Sequence, residues 1–168
     1  MWRWKYDDFP SRRRTFTAPL WNGESLEGKT LLLHTEQGIG DVLQFWRFLP
    51  DVIARKGETG RIVLESHADL IPLVEGTEGI DQIIERFSAP PAFDYHIPRL
   101  SVPRAVGLRD MAALPAQTPY LTLPPGPDFE IPEIADDKLN VGFIFGGNPK
   151  FSSDRERSTD LASWAPVL

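Results

Sequence analysis

From Lys29 onward, short apolar runs alternate with glycine-containing turns and with segments of helical period. Thr30-Leu31-Leu32-Leu33-His34-Thr35 is a continuous apolar run of strand length, the pattern of a strand buried on both faces of a parallel sheet. Glu36-Gln37-Gly38-Ile39-Gly40-Asp41 follows as a tight turn. Val42, Phe45, Trp46, Leu49, Val52 and Ile53 then recur at i, i+3, i+4, i+7, i+10 and i+11, which predicts a helix running to about Lys56 and stopping at Gly57. Pro50 lies inside that pattern and is expected to kink or split it, because it removes a backbone donor.

The same alternation continues. Residues 61–66 read as a second strand, 69–74 as a short helix closed by Gly76, and 80–84 as a third strand. Residues 95–97 read as a fourth strand, and Ser101 to Val106 as a short helix ending at Gly107. Residues 115–137 are rich in proline and acid and read as a linker or extended crossing segment. A new unit starts at Lys138. Its buried-strand run is Asn140 to Phe145, its turn Gly146-Gly147-Asn148-Pro149, and Thr159 or Asp160 caps an apolar helix through Leu161, Trp164 and Leu168. The β–α–β–α–β order argues for an α/β doubly wound parallel sheet. The expected layout is a lead-in at 1–28, a Rossmann-like domain at 29–125, a linker at 126–137 and an incomplete second domain at 138–168. The second unit reads as cut off, and its uncovered apolar faces invite dimerisation or swapping.

The lead-in has no convincing period. It mixes Trp2, Trp4, Tyr6, Phe9, Phe16 and Trp21 with Arg12-Arg13-Arg14, so its rings must pack on something. The triplet reads as a solvated patch or a contact for an acidic partner.

Composition narrows the functional classes. With 41% hydrophobic and 25% charged residues the 168-residue chain matches globular averages, which argues against a wholly disordered chain. No cysteine is present, which excludes a disulfide framework, a thiol nucleophile and thiolate-held zinc, and fits the cytoplasm. No apolar run approaches the roughly 20 residues of a membrane span. Net charge is −6, with six Lys/Arg against four Asp/Glu in residues 1–30 and twelve against twenty in the remainder. A broad nucleic-acid surface is therefore not expected, while a local anion site is.

Two glycine loops carry the candidate chemistry, at the strand ends where such sheets bind ligands. Gly38-Ile39-Gly40-Asp41 is neither the six-residue dinucleotide fingerprint nor a P-loop, so neither NAD binding nor ATP hydrolysis is indicated. Asp41 has a bland reading as an acid stabilising the helix start. His34, Glu36 and Gln37 flank this loop and can bind hydroxyls or, equally, satisfy local backbone groups. Gly146-Gly147-Asn148-Pro149, followed by Arg155, Arg157 and Ser158, can hold a diphosphate or be a solvated charged loop. His34, His67 and His96 are too scattered to suggest a metal site.

The run Leu31 to Phe45, with Phe93-Asp94-Tyr95-His96, Leu100 to Ala105, Val141-Gly142-Phe143, Gly147-Asn148-Pro149, Asp154-Arg155 and Arg157-Ser158, resembles a bacterial group of tetratricopeptide-repeat proteins. Their C-terminal region is similar to the ADP-heptose–lipopolysaccharide heptosyltransferases and, more distantly, to the O-linked N-acetylglucosamine transferases. The resemblance covers most of residues 20–168. It implies a GT-B glycosyltransferase, with acceptor mainly on the first of two Rossmann-like domains and nucleotide-sugar mainly on the second. Asp41 of the Gly40-Asp41 pair would then be the general base. His34, Glu36, Gln37, Gly38 and Gly40 would line the acceptor cleft, and Asn148, Arg157 and Ser158 would approach the donor phosphates. Arg157 stands where heptosyltransferases are expected to use a lysine. No metal and no resident cofactor are implied, and the nucleotide-sugar is a co-substrate. Taken alone, the 168 residues are expected to lack most of the donor site and to transfer no sugar. The rival reading is a non-catalytic binding or scaffold module with an enzyme-like fold. A third is an isolated small-anion binder dependent on Gly40.

Overall fold

A computed structural model of the chain describes residues 2–7, 13–122, 137, 139, 141–149 and 153–166. The chain divides into two compact units, Met1–Gly126 and Pro127–Leu168.

The first unit is built on four parallel strands, β1 (Thr30–His34), β2 (Arg61–Ser66), β3 (Gln82–Glu85) and β4 (Tyr95–Pro98), in the order β3-β2-β1-β4. Leu31 pairs with Ile62 on one side and with Tyr95 on the other, so β1 is central. This is the α/β, Rossmann-like sheet that the apolar runs predict. The two central strands are buried almost throughout, which is why they read as unbroken apolar runs rather than alternating ones. The third strand begins two residues later than its pattern suggests. Asp81, just before it, holds the Ile62 amide with its carboxylate at 2.7 Å.

Between β1 and β2 the predicted long helix is split at the proline. Helix α1 (Ile39–Phe45) passes through a tight turn at Trp46–Phe48 into α2 (Leu49–Ile53), where Pro50 occupies the first turn. The missing amide of proline costs nothing there, because first-turn amides have no intrahelical acceptor. The device recurs. Pro72 opens α3 (Ile71–Val74) after a turn at Ala68–Leu70, and Pro103 opens α4 (Val102–Ala105) after a turn at Arg99–Ser101.

The lead-in is part of this fold. Trp21 and Leu26 are fully buried in the same core as Leu31, Leu33, Val52 and Ile62. Leu20 forms a parallel bridge to His96, with Trp21 N–H donating to the His96 carbonyl at 2.9 Å, so the lead-in borders β4. Gly23 takes φ +95° where this segment passes α4, and a Cβ there would lie 2.1 Å from the Ala105 carbonyl oxygen.

In the second unit, Asn140 of the strand expected at 140–145 lies outside the described residues. Among the described residues, 141–145 pair with no strand, and Val141 and Ile144 are exposed. A parallel strand needs neighbours to satisfy its backbone, and among the described residues of this unit there is no strand to pair with. The apolar helix at the end is reduced to one turn, Leu161–Trp164. Asp160 caps it as predicted, accepting from the Ser163 amide at 2.8 Å. The expected linker at 126–137 lies outside the described residues except for Asp137.

Candidate functional site

Strand order 3-2-1-4 means that the chain leaves β1 toward β2 on one side while β4 flanks it on the other. The crevice at the carboxyl ends of β1 and β4 is therefore the topological switch point of the sheet, where ligands bind in such folds. The predicted loop leaves β1 at this point. Gly38 is the extended residue before α1, at ψ 176°, and caps the helix with no side chain. Gly40 has no neighbour within 4 Å of a notional Cβ, so it leaves open space. Asp41 sits half-buried in the first turn, and its charge bears on Glu36. Glu36, Gln37 and Gly38 thus form the loop, and Gly40 and Asp41 lie in the first turn of α1.

The loop rests on a buried polar layer, most of which the sequence did not reveal. Glu36 is buried, and its carboxylate receives Arg3 Nη2 at 2.7 Å; Arg3 also donates to Ser101 Oγ at 2.6 Å. Burial pushes the Glu36 carboxyl above its usual range, against the opposing pull of Arg3. The backbone of the loop is held from outside it, where Arg86 donates to the Glu36 carbonyl and His67 Nε2 to the Gln37 carbonyl.

Glu65, fully buried at the end of β2, is the hub. Its Oε1 accepts from the Thr35 amide at 3.1 Å and its Oε2 from Arg14 Nη1 at 2.5 Å, and its carbonyl accepts from Thr35 Oγ1 at 2.7 Å. Arg99, also buried, donates to the Glu65 and Val42 carbonyls and lies 5.2 Å from the Trp46 ring centroid. Burial lowers its guanidinium to about 10, with Glu65 opposing. One signal was available in the sequence: a glutamate at the end of the apolar run Ile62-Val63-Leu64 must be paired if both faces are buried.

His34 has a different setting from the rest of the loop. It faces His96, with Nε2 3.2 Å from Nδ1 of the neighbour, because the register that sets Leu32 opposite His96 puts both rings on one face of the sheet. Histidines that look scattered in the chain are thus neighbours in the fold. Phe16 packs edge-on against His34 and at a tilt against His96. Burial lowers His34 to about 3, helped by His96, Arg14 and Arg3, so the ring is neutral. Among the described residues no group of three or more His, Asp or Glu is arranged to hold a metal ion.

In the second unit the predicted Gly147, Arg157 and Ser158 do come together. The Gly147 amide donates to Ser158 Oγ at 2.8 Å, Ser158 Oγ donates to Asp154 at 2.8 Å, and Arg157 Nε lies 3.4 Å from the same carboxylate. A Cβ on Gly147 would lie 2.6 Å from Asp154 Oδ1 and 3.0 Å from an Arg157 nitrogen. Asn148 is exposed beside them.

The chain is similar to protein FlbA of Caulobacter vibrioides, at 42% identity over 57 residues. The match covers 34% of this chain and 10% of FlbA, so the chain spans a small part of that protein's length. No family model and no solved structure matches the chain. Among the described residues no helix is long and apolar enough to cross a membrane.

Proposed function

We propose that residues 29–125 form the acceptor-side domain of a metal-independent glycosyltransferase of the GT-B type. Asp41 accepts the proton of an acceptor hydroxyl as that oxygen attacks the anomeric carbon of a nucleotide-sugar, and the diphosphate departs. The observation that carries this reading is the position of Gly38-Ile39-Gly40-Asp41 at the switch point of a parallel sheet, with open space at Gly40. The resemblance around residues 31–45 supports it. Burial of the polar layer beneath also supports it, because Glu65, Arg99 and Arg3 fix the loop from below. In the second unit, Asn148, Arg157 and Ser158 are the proposed contacts for the donor phosphates.

A second reading, a non-catalytic binding module, is favoured by one observation: the buried carboxylates Glu36 and Glu65 are already paired with arginines. Of the three carboxylates Glu36, Glu65 and Asp41, that leaves Asp41 to act as a base. The test is turnover of a panel of nucleotide-sugars by the complete gene product and by its Asp41→Asn variant. The enzyme reading expects hydrolysis or transfer that falls by at least about a hundredfold in the variant, with thermal unfolding unchanged. Turnover unchanged by the substitution removes Asp41 as base. Partner binding without turnover on any donor supports the module.

A further inference from the structure

The first unit holds a cavity of about 460 Å³ that the loop carboxylates do not line. It lies on the face of the sheet that carries His34 and His96, and the lead-in forms its other wall through Trp4 and Phe16. Its size suits a small organic ligand.

The charge on its lining is one-sided. Lys5, Arg13, Arg14 and Arg104 contribute cations, and among the described residues no carboxylate lines it. Arg14 is matched from behind by Glu65, but among the described residues neither Arg13 nor Arg104 makes an ion pair. Three of the four cations, Lys5, Arg13 and Arg104, are solvent-exposed, while His34 and Pro98 are buried. The cavity therefore has a cationic rim and an uncharged floor. This concentration of positive charge occurs in a chain of net charge −6.

The floor carries the second clue. His34 is 3% exposed, and its Nδ1 is buried with no hydrogen-bond partner among the described residues. A neutral imidazole has one donor and one acceptor nitrogen. His34 Nε2 meets Nδ1 of the half-buried His96, and both rings line the cavity.

The geometry points to a binding site for a small phosphate monoester that also bears free hydroxyls, of the sugar-phosphate class. The phosphate is held by Arg13, Arg104 and Lys5 at the rim, and a hydroxyl reaches the His34–His96 pair on the floor. Arginine forks match phosphate oxygens in pairs. Asp41 does not line this cavity, and the assignment stands whether or not Asp41 is a base.

The test is calorimetric titration of the full chain with glucose 6-phosphate, inorganic phosphate and glucose at low and moderate salt. Saturable binding of glucose 6-phosphate, tighter than inorganic phosphate and weakened by salt, is expected, with no binding of glucose. The Arg13→Gln/Arg104→Gln double variant should weaken it at least tenfold. The His34 and His96 ring resonances should shift on titration of the wild-type chain, a readout that does not depend on the variant folding. Absence of saturable phosphate-ester binding, or ring resonances that stay fixed at saturation, overturns the assignment. Affinity unchanged in a folded double variant does so as well.

Discussion

Arg14 Nη1 lies 2.5 Å from Oε2 of Glu65, which joins the lead-in to the fully buried end of β2. Arg14 itself stays partly exposed, so its guanidinium keeps some hydration while the carboxylate has lost all of its own. Removing the arginine leaves a buried charge held by two backbone amides, those of Thr35 at 3.1 Å and Phe87 at 3.4 Å. Arg14→Ala is expected to cost about 3 kcal/mol. Pairing it with Glu65→Gln should recover part of that loss, because the uncharged amide no longer needs a cation. Urea unfolding of the two single variants and the double variant measures the coupling. A coupling near zero would mean that the lead-in is not anchored through this pair.

Stability should also depend on pH through His34. Its folded value is about 3, far below the ordinary 6.5, owing first to burial and then to His96, Arg14 and Arg3. Below about pH 6.5 the unfolded chain takes up a proton that the folded chain refuses until about pH 3. Stability therefore falls as pH drops through that window, by at most about 1.4 kcal/mol per pH unit. His96, also lowered, acts in the same direction. Glu36 is raised, so it favours the fold at acid pH and loses that contribution as pH rises through its folded value. His34→Gln should flatten the decline between pH 6.5 and 5. Equal slopes in both proteins would show that His34 is not buried in neutral form.

Two glycines form a matched pair for a backbone test. Gly23 and Gly107 have φ +95° and +93°, and only Gly23 would bring a Cβ against backbone, 2.1 Å from the Ala105 oxygen. Gly107→Ala should cost about 1 kcal/mol from conformation alone. Gly23→Ala must also push the lead-in away from α4, and should lower stability by at least about a further 2 kcal/mol. Similar losses in thermal unfolding would mean that the lead-in does not pass α4 this closely.

Thr35 offers a subtler probe of the loop. Its hydroxyl donates to the Glu65 carbonyl at 2.7 Å inside the buried layer. Thr35→Val keeps the shape and removes the donor, and should cost about 1–2 kcal/mol. If the loop reading is right, turnover of the complete protein should fall as well, since the residue fixes the start of the segment carrying Asp41. Lost stability with full turnover would separate the polar layer from catalysis.

Much of the first unit was legible in the chain because burial on both faces writes itself as unbroken apolar runs. Leu31-Leu32-Leu33 and Ile62-Val63-Leu64 read as central strands on that ground alone. Proline and glycine also act locally, so the break at Pro50 and the stop at Gly107 could be read from residue type. The glycine loop with Asp41 was visible as a motif, and the strand order then set it at the switch point.

Sequence by itself determined the strands, the punctuation and the loop, because these follow from near neighbours and from hydrophobic period. Tertiary structure alone decided that His34 meets His96, that Arg14 meets Glu65, and that the lead-in closes a cationic cavity. Those pairs lie 62 and 51 positions apart. Periodicity carries no information over such separations, and a charged residue in an aperiodic segment looks the same whether its partner is water or a buried glutamate. The second unit marks the converse limit. Residues 141–145 have the composition of a strand, yet a strand exists only where neighbouring backbone completes its hydrogen bonds.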